Sequence, residues 1–410
     1  MRIGVIVGKF PVLSEQFILN HIVGLIDQGY EVTILAAAKG ATDRVQPMVA
    51  QYGLSERTVC AHVPGAAFKR VSKMVLLGLK NLVLRPGRTL RALSRSRYRT
   101  GVSSGKTLFF LDAFGKLELD LIYAHFGPNG LSGAYLKDVG VAPRLAVAFH
   151  GSDINSYPKR FGADVYHYMF QRADIVTANT QFTADKVIAA GASPEQMVIV
   201  PESLRTGDYP KRSWAPPAGR FTLLTVGRMV EKKGHRYVLH AVKSLREIIP
   251  GLQYRMVGDG HLRGSLEALA KELGIEDICV FLGAQTADVV RTEYEGCDLF
   301  VLASVTAESG DMEGQGLVLQ EAQAIGVPVV STYHNGIPEG VLDGETGLLV
   351  PERDPPALHQ AIERLWRDPQ AIKAMGDRAA SFVRERYDTS KVTENLAATF
   401  TQKMPEWAGR

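Results

Sequence analysis

Residues 299–331 read LFVLASVTAESGDMEGQGLVLQEAQAIGVPVVS. An apolar run, Leu299–Ala303, leads into a polar loop bearing glycines, then an apolar pattern at helical spacing from Leu317, then a second apolar run, Val327–Ser331. Short, continuously apolar runs on either side of a helix read as strands buried on both faces, the signature of a parallel sheet covered by helices. The alternation extends outward from this unit. Strands are predicted before it at Phe221–Val226, Leu252–Val257 and Ile278–Leu282. An earlier series runs Ile3–Val7, Glu31–Ala36, Leu119–Ala124, Leu145–Phe149 and Ile175–Ala178, with a helix from about Ser14 to Gln28. PESLRTGDYPKRSWAPPAG (201–219), rich in proline, serine and charge, separates the two series. The expectation is an α/β protein of two doubly wound domains, with a small-molecule site in the cleft between them.

Composition bounds the function. The chain has 410 residues, 46% hydrophobic and 22% charged, with a formal net charge of +4, which is ordinary globular composition. Its three cysteines, Cys60, Cys279 and Cys297, form no CxxC, so neither a disulfide framework nor a cysteine metal site is expected. The first apolar run, Ile3–Val7, is too short for a signal peptide or a membrane span, and a cytoplasmic protein is the expectation. Charge is unevenly spread, +9 over residues 1–205 and −5 over 206–410. No acidic residue falls between Glu56 and Asp112, a stretch holding twelve lysines and arginines. Within it, AFKRVSKMVLLGLKNLVL (67–84) places Phe68, Val71, Val75, Leu79 and Leu82 at helical spacing. A basic amphipathic helix followed by an arginine-rich segment (69–106) points to an anionic membrane surface; a solvated basic face is the alternative, and no specific nucleic-acid motif occurs.

Two groups of residues carry chemistry. Glu313 and Glu321 lie eight positions apart around Gly314 and Gly316, at the start of the helix pattern. Glycines let the first backbone N–H groups approach a ligand closely, and a helix N-terminus attracts phosphate. Two carboxylates there would accept hydrogen bonds from sugar hydroxyls, whereas the bland reading is a capped helix with a surface glutamate. Arg228 and Lys233 lie five residues apart across a predicted strand-to-helix turn, in VGRMVEKKG (226–234). A guanidinium and an ammonium beside a helix start suffice to clamp a diphosphate.

VGRMVEKKG followed by EGQGLVLQEAQAIGVPVVS resembles the donor-site signature of retaining GT-B glycosyltransferases of family 4 (glycosyl transferases group 1). The opening GKFPVLSEQFILNHIVGLIDQGYEVTILA (8–36) is similar to the start of bacterial exopolysaccharide, colanic-acid-type members. The resemblance continues through AHFG around His125, FHGSD around His150 and VGDGHLR (257–263). It implies a GT-B fold of two Rossmann-like domains facing each other across a cleft. Residues 1–203, completed by a returning helix at 388–410, would bind the acceptor, and residues 204–387 the donor. It implies that Arg228 and Lys233 hold the donor diphosphate and Glu321 the ribose. Glu313, with the backbone of Gly314, Gly316, Leu317 and Val318, would hold the transferred sugar. The base would sit near Gly283, and His150 near the reacting sugar. The implied reaction moves a hexose with retention from a nucleoside diphosphate sugar, UDP-hexose before GDP-mannose, to a lipid-linked saccharide.

His150 and His125 each end a predicted strand, where open sheets bind ligands. His125, with Ser14, Glu15 and Asp153, makes up the acceptor-side candidates, and His150 and Glu313 are the residues expected to be catalytic. The chain departs from the family in lacking a glycine pair after the first strand, and in VPESLRTGDYP (200–210), where relatives carry an Asn-Gly-Val-Asp-like turn. No histidine–carboxylate spacing suits a metal and no DxD stands in a strand-end loop, so metal-independent chemistry without a cofactor is expected. Oligomeric state is not legible. Three rivals stay in view: a nucleotide-sugar epimerase of the same fold, a non-catalytic component of a polysaccharide assembly complex, and an NAD(P)-dependent dehydrogenase. The dehydrogenase fails on position, because Gly258, Gly260 and Gly264 give GxGxxxG and no acidic residue ends the next strand.

Overall fold

The computed structural model describes residues 1–410 except 13–14, 41–44, 217–218 and 405–410. The chain forms two compact units, Met1–Pro201 with Val392–Arg410, and Glu202–Lys391.

The first unit is built on seven strands, β1 (Arg2–Phe10), β2 (Glu31–Lys39), β3 (Thr58–Cys60), β4 (Leu121–His125), β5 (Arg144–Phe149), β6 (Ile175–Ala178) and β7 (Met197–Ile199). They pair in parallel, in the order β3-β2-β1-β4-β5-β6-β7. Both faces are buried, which is why β1 reads as an unbroken apolar run. Ile3, Val5 and Val7 pack with helix Gln16–Asp27, while Ile6 packs on the other face with Phe109, Phe110 and Phe114. The last helix, Thr389–Lys403, adds Val392, Leu396 and Phe400 to the first of these layers.

The second unit has six strands, β8 (Phe221–Val226), β9 (Leu252–Val257), β10 (Cys279–Gly283), β11 (Leu299–Leu302), β12 (Val329–Thr332) and β13 (Gly347–Val350). All pair in parallel, in the order β10-β9-β8-β11-β12-β13. This is the Rossmann order, in which the winding reverses between the first and fourth strands, here β8 and β11. The loops after these two strands therefore open at the topological switch point.

Every strand predicted from the apolar runs is present; β3, β7 and β13 were not predicted. The passage between the series lies in the second unit, where it runs beside the start of the last helix. Leu204 N donates to Tyr387 O at 3.0 Å, and Thr389 N to Leu204 O at 2.9 Å. The change of unit consequently falls between Lys391 and Val392, a turn later than the expected 387/388.

Candidate active site

Lys233 and Glu313 arrive from the two loops that flank the switch point. After β8 the chain turns through Gly227, Arg228 and a short 3-10 helix, Glu231–Lys233. The Lys233 stem crosses Gly227 so closely that a Cβ there would lie 3.3 Å from Cε, so the glycine is what lets the lysine turn inward. Its ammonium lies 2.7 Å from Glu313 Oε2, with both side chains largely buried, 11% and 14% exposed. Burial pushes the Glu313 carboxyl up, but the charges of Lys233 and then Lys232 outweigh it, and the pKa falls below the ordinary glutamate value. Lys232 is held nearby by Asp311 Oδ1 at 3.2 Å and Met312 O at 3.1 Å.

The helix after this loop runs Leu317–Ile325 and starts on Gly316, whose φ of 76° is left-handed. A side chain there would be strained, and its Cβ would press on Leu319 Cδ1 at 3.1 Å and meet Glu313 Cγ at 3.6 Å. Glu313 thus packs against the first turn, and Lys233 reaches that turn through it. Among the described residues no side chain caps the helix, which leaves its leading N–H groups, those of Leu317 and Val318 among them, without a side-chain acceptor. Gln315 anchors the loop from behind, exchanging two 2.8 Å hydrogen bonds with the backbone of Glu202.

Glu321 stands one turn into the helix, where side chains lean toward the N-terminus. The Tyr294 hydroxyl donates to its Oε2 at 2.9 Å, and Tyr209 hydrogen-bonds the same carboxylate. Burial raises its pKa, and the two tyrosines only partly counter this. Arg228 is exposed, and its guanidinium has no partner among the described residues. Gly283 ends β10, and its carbonyl accepts the Gly258 N–H at 2.8 Å. The structure therefore brings Lys233, Glu313, Gly316 and Leu317 together, with Glu321 a turn along the same helix.

A group the sequence reading passed over sets the Glu313 loop. His334, fully buried just past β12, accepts the Glu313 N–H on Nε2 at 3.1 Å, and its Nδ1 lies 2.5 Å from Glu352 Oε1. Asn335 Nδ2 donates to Glu313 O at 2.9 Å. Glu352 also accepts the Thr306 N–H at 2.9 Å, so one carboxylate beyond β13 fixes both ends of the loop. The strand-end rule that singled out His125 and His150 applies equally to His334; Glu352 and Tyr209 carry no comparable signal.

In the first unit, the acceptor-side candidates divide. His150 follows β5, half-buried between Phe17 and Phe126, whose ring centroids lie 4.6 and 4.9 Å away. Its Nε2 is 3.1 Å from Nδ1 of His125. His125 is completely buried, and burial, with the charges of His150 and His21, keeps it well below the ordinary imidazole pKa. Asp153 is buried too. Its Oδ1 accepts the N–H groups of His150 and Gly151 at 3.1 and 3.0 Å, and its Oδ2 accepts that of Gly127 at 2.9 Å. Both are buried, and their hydrogen bonds bear on the placement of His150. Glu15 precedes helix Gln16–Asp27, and burial raises its carboxyl pKa. Ser14 lies outside the described residues. Among the described residues no group of three or more metal-ligating side chains is placed to hold a metal ion.

Comparison with known proteins places this geometry in context. Residues 210–382 match the family described as Glycosyl transferases group 1, and residues 14–202 match the Glycosyl transferase 4-like domain. The chain is 31% identical over 406 residues to a putative colanic acid biosynthesis glycosyltransferase, WcaL, of Escherichia coli, covering 97% of this chain and 99% of the relative. It is 28% identical to the amylovoran biosynthesis glycosyltransferase AmsK of Erwinia amylovora, covering 89% and 90%. Among solved structures, Anabaena HepE in complex with UDP superposes with a TM-score of 0.72 at 20% identity, covering 98% and 99%, a likeness of fold.

Proposed function

The chain belongs to the glycosyl transferases group 1 family, is a glycosyltransferase of GT-B fold, and we propose that it transfers a hexose with retention from a nucleoside diphosphate sugar to a lipid-linked saccharide. The proposed setting is exopolysaccharide biosynthesis, which the names of the colanic acid and amylovoran relatives support, and its proposed place is the cytoplasmic side of a membrane. UDP-hexose is the proposed donor, in keeping with the UDP held by a neighbour of the same fold, and GDP-mannose is second.

The observation that carries this reading is the Lys233–Glu313 contact laid against an uncapped helix start at the switch point. Negative charge develops on the departing diphosphate. Lys233, held by Glu313, and the N–H groups of Leu317 and Val318 are fixed positive groups that oppose it, the preorganised electrostatics that dominates many enzymes, and the exposed guanidinium of Arg228 joins them when the diphosphate arrives. Glu321 receives the ribose hydroxyls, and the base lies toward Gly283. Glu313, already committed to Lys233, orients the sugar and does not attack it. The acceptor oxygen bonds to the anomeric carbon on the face that the diphosphate leaves, and its proton passes to a phosphate oxygen. In the first unit, His150 serves the acceptor side. The two cations do the neutralising, and a chelator is expected to leave the rate unchanged.

A thermal-shift panel of UDP, GDP and ADP with their sugars tests the donor, because a ligand of the folded state stabilises it by mass action. One base is expected to stabilise selectively, and the product anomer read by NMR is expected to match the donor's. Conversion of the donor sugar without any acceptor, or an inverted product, would overturn the reading.

A further inference from the structure

The hydrogen bonds of His334 fix where its ring proton sits. Nε2 faces two donors, the Glu313 N–H at 3.1 Å and Asn335 Nδ2 at 2.8 Å. A backbone N–H can only donate, so Nε2 presents its lone pair and Nδ1 carries the proton. That proton is accepted by Glu352 Oε1 at 2.5 Å. The fully buried ring is thus held as one tautomer, chosen by the carboxylate behind it and the peptide in front.

Asn335 completes the arrangement. Its backbone is left-handed, with φ 47°, a region that asparagine enters more readily than most residues. Its amide lies back against the preceding ring, and Nδ2 gives one hydrogen to His334 Nε2 and the other to Glu313 O at 2.9 Å. Both backbone polar groups of Glu313 are therefore gripped, the N–H by His334 and the carbonyl by Asn335, while Lys233 holds the carboxylate at 2.7 Å. Glu313 needs this hold because it stands in irregular chain between β11 and helix Leu317–Ile325, with no ladder or helical turn to fix it. Glu352 steadies the other end of that loop by accepting the Thr306 N–H at 2.9 Å.

We propose that His334, Asn335 and Glu352 are positioning residues for the transfer: through the backbone of Glu313 they aim its carboxylate, and they set the rate of transfer without adding to the hold on the diphosphate. This rests on the reading that Glu313 orients the transferred sugar. Three side chains from the ends of two neighbouring strands, β12 and β13, converge on one loop residue, with a buried imidazole and a left-handed asparagine among them. Such conformations persist where the surroundings over-determine them, and they gather at functional sites. A misplacement of about 1 Å in an orienting group is enough to cost up to ~10²-fold in rate. Diphosphate affinity follows other groups, namely Lys233, Arg228 and the N–H groups of Leu317 and Val318, so it is expected to stay when the clamp is opened.

Variants of the full chain separate position from stability. His334→Leu removes the acceptor, His334→Gln offers an amide oxygen in place of Nε2, and Asn335→Gly keeps the left-handed backbone while dropping the amide. His334→Leu and Asn335→Gly are each expected to lose about tenfold or more in kcat while the Kd of the nucleoside diphosphate stays near the parent's. His334→Gln loses the ring and its packing just as the leucine variant does, yet it is expected to recover most of the rate. Parental kcat in His334→Leu, a Kd that rises in step with the fall in kcat, or no recovery in His334→Gln would each overturn the proposal. Should the substitutions at 334 unfold the protein, Asn335→Gly and the tautomer of the parent still decide. The tautomer is read by two-bond 1H–15N correlation on histidine-labelled protein. The His334 ring is expected to carry its proton on Nδ1, and a proton on Nε2 overturns the proposal whatever the activity. The two readings fail separately: a parent that transfers no sugar removes the transferase reading, whereas an active parent with an Nε2–H ring or indifferent variants removes the clamp alone.

Discussion

Lys233 meets the Glu313 carboxylate at 2.7 Å, and a diphosphate arriving at the helix start competes for that ammonium. The two partners should therefore fail differently when altered. Lys233→Ala leaves an uncompensated carboxylate beside the phosphate position, so nucleoside diphosphate affinity and turnover both fall. Glu313→Gln releases the lysine to the diphosphate, so affinity is kept or gained while turnover falls. Each is expected to lose more than tenfold in turnover, about 1.4 kcal/mol of transition-state stabilisation, by steady-state kinetics. Wild-type turnover in both would remove these residues from the chemistry. Glu321 gives a pH signature. Burial favours its neutral form, so the folded protein holds this proton more tightly than the unfolded chain, and ionisation proceeds only above the ordinary value of 4.5. Ribose hydroxyls need the ionised form as acceptor, so nucleotide affinity is expected to drop on acidification with a midpoint above 4.5. Tyr294 stabilises the anion, so Tyr294→Phe should move that midpoint further up in a titration of Kd against pH.

At the scale of elements, the start of helix Leu317–Ile325 depends on the left-handed backbone of Gly316. Gly316→Ala is expected to cost about 1–2 kcal/mol, seen as a lower Tm, and to weaken nucleotide binding by shifting the first turn. The long strands and this helix were legible in the sequence because burial on both faces leaves continuous apolar runs such as Val5–Val7 and Leu299–Leu302. β3 and β7 were not, since three half-buried residues give no continuous apolar run, and β13 offers only three apolar residues behind Gly347. Lys233 and Glu313 were legible as a motif. His334 and Glu352 were not, because the link between them depends on which strand ends lie side by side, and that is set by sheet order. The helix at 67–84 is the opposite case. Its amphipathic period was plain, but the side it would bury was decided by Asn81 and Leu77 meeting helix Lys106–Phe114.

Over the whole molecule, each unit closes a core of its own, and the first is completed by the end of the chain. Phe400 is 1% exposed and packs edge-on to Tyr123 at 5.7 Å, beneath the sheet. Phe400→Ala is expected to destabilise the first unit by roughly 3–5 kcal/mol, measured by denaturant unfolding, while the nucleotide binding proposed for the second unit is expected to survive. The charge asymmetry follows the same division of labour. The positive half carries the outward-turned basic helix, and the negative half holds the two cations proposed for the diphosphate in one turn, Arg228 to Lys233. Hydrogen exchange tests the central claim most directly. On adding saturating UDP, or whichever nucleoside diphosphate gives the largest thermal shift, amides of residues 314–319 should exchange markedly more slowly, and this protection should be lost in Lys233→Ala. Unchanged exchange there, in a sample that the thermal shift shows to be nucleotide-bound, would place the diphosphate elsewhere and contradict the account.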